Sequence, residues 1–355
     1  MLKGHGGEIY AWARELGLDP WEIKDHSSNL SPLPPPEGLY ELLKNSLPEI
    51  ENLPEVDSLS LRERFAQEYP HLFPEEILPS SGTTEWIFAL PRVLEPQRVL
   101  ILGPTYSDYA DAAKTSKVPV FFFMAREEED FRPPLEELAQ NLKEDDLVFI
   151  CNPNNPTGSF ISPEKISALA RENPKSYFVI DESYADFLPG KTSLLDLGER
   201  LPNVVILRSF SKIFKIPGLR LGLAVAGERF VRLLWRHYLP WSVNRLAQIA
   251  GPWLLDQKEH VKKVQNFVQE ERKLIFEELK NVEGLKIFKG QVHFFLVKLS
   301  RKKSHEVWRE LLLKYRILVR NASNFEGLNE YYLRFSLRTK EENQALLKAL
   351  KEVIQ

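Results

Sequence analysis

Short apolar segments alternating with helical ones predict an α/β protein: a large domain on a mostly parallel sheet, with a smaller α+β domain behind it. Three observations carry this. Segments such as Leu147-Val148-Phe149-Ile150 and Val204-Val205-Ile206-Leu207 are apolar at every position, as in strands covered on both faces. Helical patterns separate these segments between residues 98 and 226. Near Trp241 the pattern changes to two long helical stretches followed by short strands. The division expected is an N-terminal arm over 1–45, a large domain over 46–240 and a small domain over 241–355.

Taken in order, a first helix spans 8–16 and stops at Gly17, a residue suited to the left-handed cap. Residues 31–36 carry four prolines, Pro32, Pro34, Pro35 and Pro36, and must be extended loop. Helices follow over 60–69 and 82–94, the second after a break at Pro79 with Ser80 or Ser81 as its cap. A strand over 98–102, a helix over 108–114 and a strand over 118–124 come next. The strand 147–151 precedes a helix over 163–172 that opens with Ser162 and Pro163. Strands ending at Asp181 and Arg208 and one over 219–226 complete the large domain. Helices over 244–255 and 259–281 then lead to strands over 285–288 and 293–299, a helix over 304–314, strands over 317–320 and 331–337, and a last helix over 340–353.

The 355 residues suit two domains, and 43% hydrophobic with 27% charged residues is an ordinary globular balance. A net charge of −3 with no basic block argues against nucleic acid or an anionic membrane surface as partner. Cys151 is the one cysteine, so no intrachain disulfide can form, which suits a reducing compartment. Residues 1–7 hold no apolar signal core, and the longest apolar runs are strand-length. A cytoplasmic location and no metal site are expected.

Chemistry concentrates at the strand ends, where open α/β sheets bind ligands. Asp181-Glu182-Ser183-Tyr184 follows one apolar strand, and Ser209-Phe210-Ser211-Lys212 follows another. A carboxylate and a lysine at one sheet edge suit pyridoxal 5′-phosphate: the lysine holds the aldehyde and the acid pairs with the ring nitrogen. Ser81-Gly82-Thr83-Thr84 opens a helix, offering free N–H groups and hydroxyls to an anion. Asn152-Pro153-Asn154-Asn155-Pro156-Thr157-Gly158 forces an irregular loop after a strand, and Asn155 can donate to a phenolic oxygen. Ser209, Ser211 and Arg220 can grip a phosphate. Alternation in Leu333-Arg334-Phe335-Ser336-Leu337-Arg338 puts Arg334, Ser336 and Arg338 on one face; a planar guanidinium there suits a substrate carboxylate.

Over essentially its whole length the chain resembles the fold-type-I pyridoxal-phosphate enzymes of the aminotransferase superfamily. The resemblance implies that Lys212 is the Schiff-base lysine, that Asp181 pairs with the ring nitrogen, and that Tyr184 and Asn155 bond the phenolic oxygen. It implies that Tyr106 stacks on the ring and that Gly82, Thr83, Ser209, Ser211 and Arg220 hold the phosphate. The opening His5-Gly6-Gly7-Glu8-Ile9-Tyr10, the run Asp25-His26-Ser27-Ser28-Asn29-Leu30-Ser31-Pro32-Leu33 and Pro240-Trp241-Ser242-Val243-Asn244-Arg245 are most similar to threonine-phosphate decarboxylases of cobalamin synthesis. Histidinol-phosphate aminotransferases come next. The resemblance then implies a phosphorylated amino-acid substrate, most specifically O-phospho-L-threonine, held by His5, Asn29, Asn155, Arg320 and Arg334, and a homodimer. A non-catalytic pyridoxal-phosphate-binding regulator is the contrasting class; such proteins often add a nucleic-acid-binding domain, for which this chain has no room. Three departures stand out. Ser31 replaces a usual Asn and Pro34 a usual Gly, and Leu53-Pro54-Glu55-Val56 replaces a segment whose tyrosine reaches the partner subunit's cofactor. Decarboxylation and transamination use the same constellation, so the motifs leave the choice between them open.

Overall fold

The architecture follows from where the fully apolar segments pair. The structure, a computed structural model, describes residues 6–355. Seven strands form one sheet: β1 (Ile77–Ser80), β2 (Arg98–Gly103), β3 (Val120–Met124), β4 (Asp146–Cys151), β5 (Tyr177–Asp181), β6 (Val204–Ser209) and β7 (Gly222–Ala226). Their order is β1-β7-β6-β5-β4-β2-β3. All run parallel except β7, which is antiparallel to both its neighbours. Every residue of β4, β6 and β7 is buried, which is why these segments carry no polar alternation. Each fully buried Val, Leu, Ile or Phe side chain there contributes roughly 1.5–3 kcal/mol.

The reversed strand has a direct consequence for function. Gly222, at the start of β7, sits opposite Ser209 at the end of β6 and Ser80 at the end of β1. Two separate strand ends and the turn after β1 are thereby drawn to one spot.

A second, antiparallel sheet contains β8 (Leu285–Ile287), β9 (Phe294–Leu299), β10 (Arg320–Asn321) and β11 (Tyr332–Ser336), in the order β10-β11-β9-β8. The 22-residue helix Lys258–Leu279 leads to it, and Lys340–Ile354 closes the chain, capped by Thr339 and Glu342 acting reciprocally. Ahead of it, helix Arg245–Leu255 starts on Asn244, whose side chain accepts from Ala247 N at 2.9 Å. No described helix is long and apolar enough to cross a membrane.

Several local expectations are corrected. The strand expected over 317–320 is divided. Ile317–Leu318 pairs in parallel with Lys24–Asp25, and Arg320–Asn321 pairs with β11, the chain changing sheets at buried Val319. The N-cap position of helix Thr84–Leu94 is Thr83, without a side-chain capping bond, and is neither serine; Glu85 instead accepts from Ser81 N at 2.9 Å. Ser162 does occupy the cap of Pro163–Glu172, but its side chain makes no capping bond. Pro79, read as a break, lies inside β1, an edge strand where a missing N–H is tolerated. Helices Leu39–Asn45, Leu135–Asn141 and Glu228–Arg236 were not expected.

Candidate active site

A cavity of about 220 Å³ opens at the carboxyl ends of β4, β5 and β6. Twelve expected site residues line it together: Asn29, Gly82, Thr83, Tyr106, Asn155, Asp181, Tyr184, Ser209, Ser211, Lys212, Arg220 and Arg334. Strand register explains the core of this set. Cys151 and Asp181 are partners across β4 and β5, Asp181 faces Leu207 across β5 and β6, and Ser209 then runs into the short helix Phe210–Ile213 carrying Lys212.

Asp181 is buried and accepts hydrogen bonds at both oxygens. Its Oδ1 accepts from Ser183 N at 3.0 Å and Ser183 Oγ at 2.6 Å, and its Oδ2 accepts from the Tyr109 hydroxyl at 2.8 Å. Lys212 keeps some accessible surface because it faces the cavity, yet protein walls it off from bulk water. That burial, helped by the nearby Arg334 cation and opposed by Asp181, lowers its ammonium from 10.5 to about 8. Its backbone carbonyl accepts from Ser31 N at 2.9 Å, so the proline-rich loop braces the lysine from behind.

One end of the cavity is built for an anion. Gly82 has φ +86°, and a Cβ there would lie 2.4 Å from Arg220 Nη2. A Cβ on Gly222 would lie 2.8 Å from Thr83 N. Both glycines therefore admit a close approach that no other residue allows. Ser211 Oγ is buried with no partner among the described residues, a donor awaiting an acceptor. Arg220 reaches the Ser81 carbonyl at 3.3 Å from the cavity mouth.

The opposite wall is cationic. Arg334 is buried, donates to Asn155 Oδ1 at 2.5 Å and to the Ser27 carbonyl, and lies over the Phe294 ring. Burial lowers its guanidinium to about 9, with the Arg320 cation acting in the same sense. Ser336, on the same face of β11, donates to Asn29 Oδ1 at 2.8 Å, and Asn29 Nδ2 donates to the Tyr184 hydroxyl at 3.2 Å. Burial pushes the Tyr184 and Tyr106 hydroxyls upward, so both stay protonated donors. Arg338 turns aside, 3.9 Å from Glu342.

Arg320 is not in this cavity. It pairs directly with Arg334 across β10 and β11 but lines an adjoining space of about 180 Å³ walled by Trp12, Trp308 and His305. Gly6 and Ser27 line both spaces. Arg320 donates to Asn324 Oδ1 at 2.7 Å and to the Asn321 carbonyl at 2.6 Å, and burial lowers it to about 10. His5 lies outside the described residues; the arm next to it is tied down where Gly7 N donates to Ser27 Oγ at 2.8 Å. Leu53 is exposed, 77%, and does not line the cavity.

Three contributors escaped the sequence reading. Ser183 follows Asp181 by two residues, a spacing that signals a carboxylate accepting from its own turn. Ser27 acts through its carbonyl, and Tyr109 reaches Asp181 from another element, so neither left a local signal. Among the described residues no group of metal-binding side chains occurs.

Residues 26–350 match the family model for aminotransferase class I and II. Over 99% of its length the chain is 32% identical to an adenosylcobalamin biosynthesis bifunctional protein of Leptospira interrogans, of which it spans 41%. It is also 32% identical to the threonine-phosphate decarboxylase of Salmonella typhimurium, covering 99% of this chain and 97% of that protein. The solved histidinol-phosphate aminotransferase of Clostridium acetobutylicum superposes with a TM-score of 0.86 at 26% identity, over 93% of this chain and 99% of the other.

Proposed function

The chain belongs to the class I and II aminotransferase family, and on that premise we propose that it decarboxylates O-phospho-L-threonine to 1-amino-2-propanol phosphate, a step that serves cobalamin synthesis. It is a pyridoxal 5′-phosphate enzyme, and the cavity fits that cofactor. Ser211 Oγ, without a partner among the described residues, the two glycines that a Cβ would obstruct and Arg220 suit its phosphate. Asp181 suits its ring nitrogen, Tyr106 its ring face, Tyr184 and Asn155 its phenolic oxygen, and Lys212 its aldehyde. Bound there, the cofactor supplies an electron-poor ring that takes up the electron pair left when a bond at the substrate's α carbon breaks.

The protein's own groups do the rest. Asp181 holds a proton on the ring nitrogen. Lys212, its ammonium lowered to about 8, returns a proton to the α carbon from the ammonium once CO₂ has left; in a transamination it would take the α proton as the neutral amine. Arg334 binds the substrate carboxylate, and the Asn29–Ser336 pair keeps Tyr184 in place. Arg320 binds the substrate phosphate.

The observation that carries this reading is the pairing of two arginines on one face of adjacent strands, in adjoining spaces that share Gly6 and Ser27. A short molecule with a carboxylate at one end and a phosphate at the other would span them. Histidinol-phosphate aminotransferase is the second reading, favoured by the superposition on the Clostridium enzyme. Incubation with O-phospho-L-threonine decides: CO₂ with 1-amino-2-propanol phosphate supports the decarboxylase. Glutamate formed from histidinol phosphate and 2-oxoglutarate, without CO₂ from the first assay, overturns it. We also propose a homodimer in the cytoplasm, with domains divided near residues 45 and 240. Exposed apolar side chains between Leu47 and Leu59 support the dimer.

A further inference from the structure

Tyr109 has no role in the reading above, yet it makes the contact that Asp181 receives from outside its own turn. It sits in the first turn of helix Asp108–Thr115, completely buried, and lines the cavity. Its ring lies flat on Phe149 of β4, with centroids 5.0 Å apart and planes at 15°. Tyr106 meets it edge-on at 5.7 Å. Between these two rings the phenol hydroxyl donates to Asp181 Oδ2 at 2.8 Å, with the Cys151 thiol beside it.

We propose that Tyr109 is the positioning residue that sets the plane of the Asp181 carboxylate toward the cofactor's ring nitrogen. Ser183 contributes two donors, but both fall on Oδ1 and both belong to the turn that carries Asp181. A carboxylate held at one oxygen can still swing about that oxygen. The Tyr109 hydroxyl pins the other oxygen from a separate helix, so two independent elements fix the plane. A carboxylate oxygen accepts more than one hydrogen bond, so Oδ2 can take the phenol and the ring N–H together. The donor is also neutral. Burial, reinforced by the Asp181 charge, drives the Tyr109 hydroxyl well above its ordinary range, so it remains a donor at every working pH. A lysine or arginine in the same place would neutralise the carboxylate and weaken its hold on the protonated ring. The inference rests on the pairing of Asp181 with the cofactor nitrogen proposed above.

The test uses the holoenzyme loaded with cofactor labelled with ¹⁵N at the ring nitrogen, in the native protein and in Tyr109→Phe, Tyr109→Leu and Asp181→Asn. Tyr109→Phe keeps the ring stack and removes only the hydroxyl, so the cofactor-free variant should melt with the native protein. Its cofactor Kd should rise about tenfold, the loss of one hydrogen bond to a charged group. The ¹⁵N resonance should move from the protonated toward the neutral-pyridine position. A Tyr109→Phe protein with native Kd and native resonance overturns the inference, as does a resonance moving the other way. Loss confined to Tyr109→Leu also overturns it, because Tyr109 would then serve packing alone. Asp181→Asn separates the two levels. If it leaves the resonance unmoved, the Asp181 pairing fails and this inference with it; if it moves the resonance while Tyr109→Phe does not, the inference alone fails.

Discussion

At the residue scale, Lys212 and Arg320 carry the sharpest tests. Lys212 should be the residue that borohydride fixes to the cofactor, and Lys212→Ala should cut turnover by several orders of magnitude while cofactor still binds. Near-native turnover would remove Lys212 from its role. The pH dependence follows from its ammonium, lowered to about 8. Only the neutral amine attacks the aldehyde. The rate of covalent cofactor uptake by the cofactor-free protein should therefore rise as pH climbs through about 8 and then level off. Stopped-flow absorbance measures this; a rate still rising toward pH 10.5 would show an ordinary exposed lysine. Arg320→Ala should lower kcat/KM for O-phospho-L-threonine about 30- to 1000-fold, the loss of a charge-assisted contact to a shielded phosphate. The visible spectrum of its bound cofactor should stay native. Unchanged kcat/KM for every phosphorylated substrate would leave Arg320 a strand-end residue bonded to Asn321 and Asn324.

At the element scale, the reversed strand β7 is what assembles the anion end of the cavity. Its first residue, Gly222, lies against the Thr83 backbone N–H and opposite Ser209. Gly222→Ala would force the turn after β1 away from β6, an overpacking strain of about 1–3 kcal/mol. We expect weaker cofactor retention, by about 10-fold or more, with the sheet intact by circular dichroism. Native affinity in that variant would mean that the turn absorbs the methyl group elsewhere. The antiparallel pair β10–β11 is the second such device, since it sets Arg320 beside Arg334. Without the change of sheets at Val319, an unbroken strand over 317–320 would run on along the arm past the Asp25–Leu318 pair and take Arg320 away from Arg334.

At the scale of the whole molecule, assembly and acid stability are open to measurement. Leu47, Ile50, Leu53, Val56 and Leu59 are all exposed, as is Trp241, whose backbone N–H donates to the Val56 carbonyl. So much apolar surface in one stretch fits a subunit interface. Sedimentation should give a dimer, and Ile50→Asp with Leu53→Asp should shift it to monomer; a native protein that stays monomeric and active at all concentrations would refute the assembly. His26 is completely buried, bonded to the Ser336 carbonyl at 2.8 Å, and lowered from 6.5 to about 4 by that burial; Arg338 lowers it further, while Glu342 and Asp25 oppose. Between those values the unfolded chain binds a proton that the folded chain refuses. Its contribution to stability is thus complete above pH 6.5 and is lost as pH falls toward 4. The melting temperature should drop over that window, and His26→Asn should flatten the drop.

Most strands of the large sheet, Ile77–Ser80 excepted, and the groups at their ends were legible in local pattern. Short fully apolar runs bounded by loop signals suit strands covered on both sides, and Asp181, Ser209 and Lys212 follow such runs within a few residues, so a local pattern carried them to one edge. The glycine at position 82 and the Asn155 loop were legible for the same reason, since backbone punctuation is written locally. What the tertiary structure decided was every relation between distant segments. Reversal of β7, entry of Pro79 into an edge strand and division of 317–320 between two sheets depend on partners far along the chain. The same holds for Tyr109 meeting Asp181 and for the Ser27 carbonyl meeting Arg334. A hydrogen bond closing across such a separation leaves no periodicity in either segment; only the packing that brings the two together selects it.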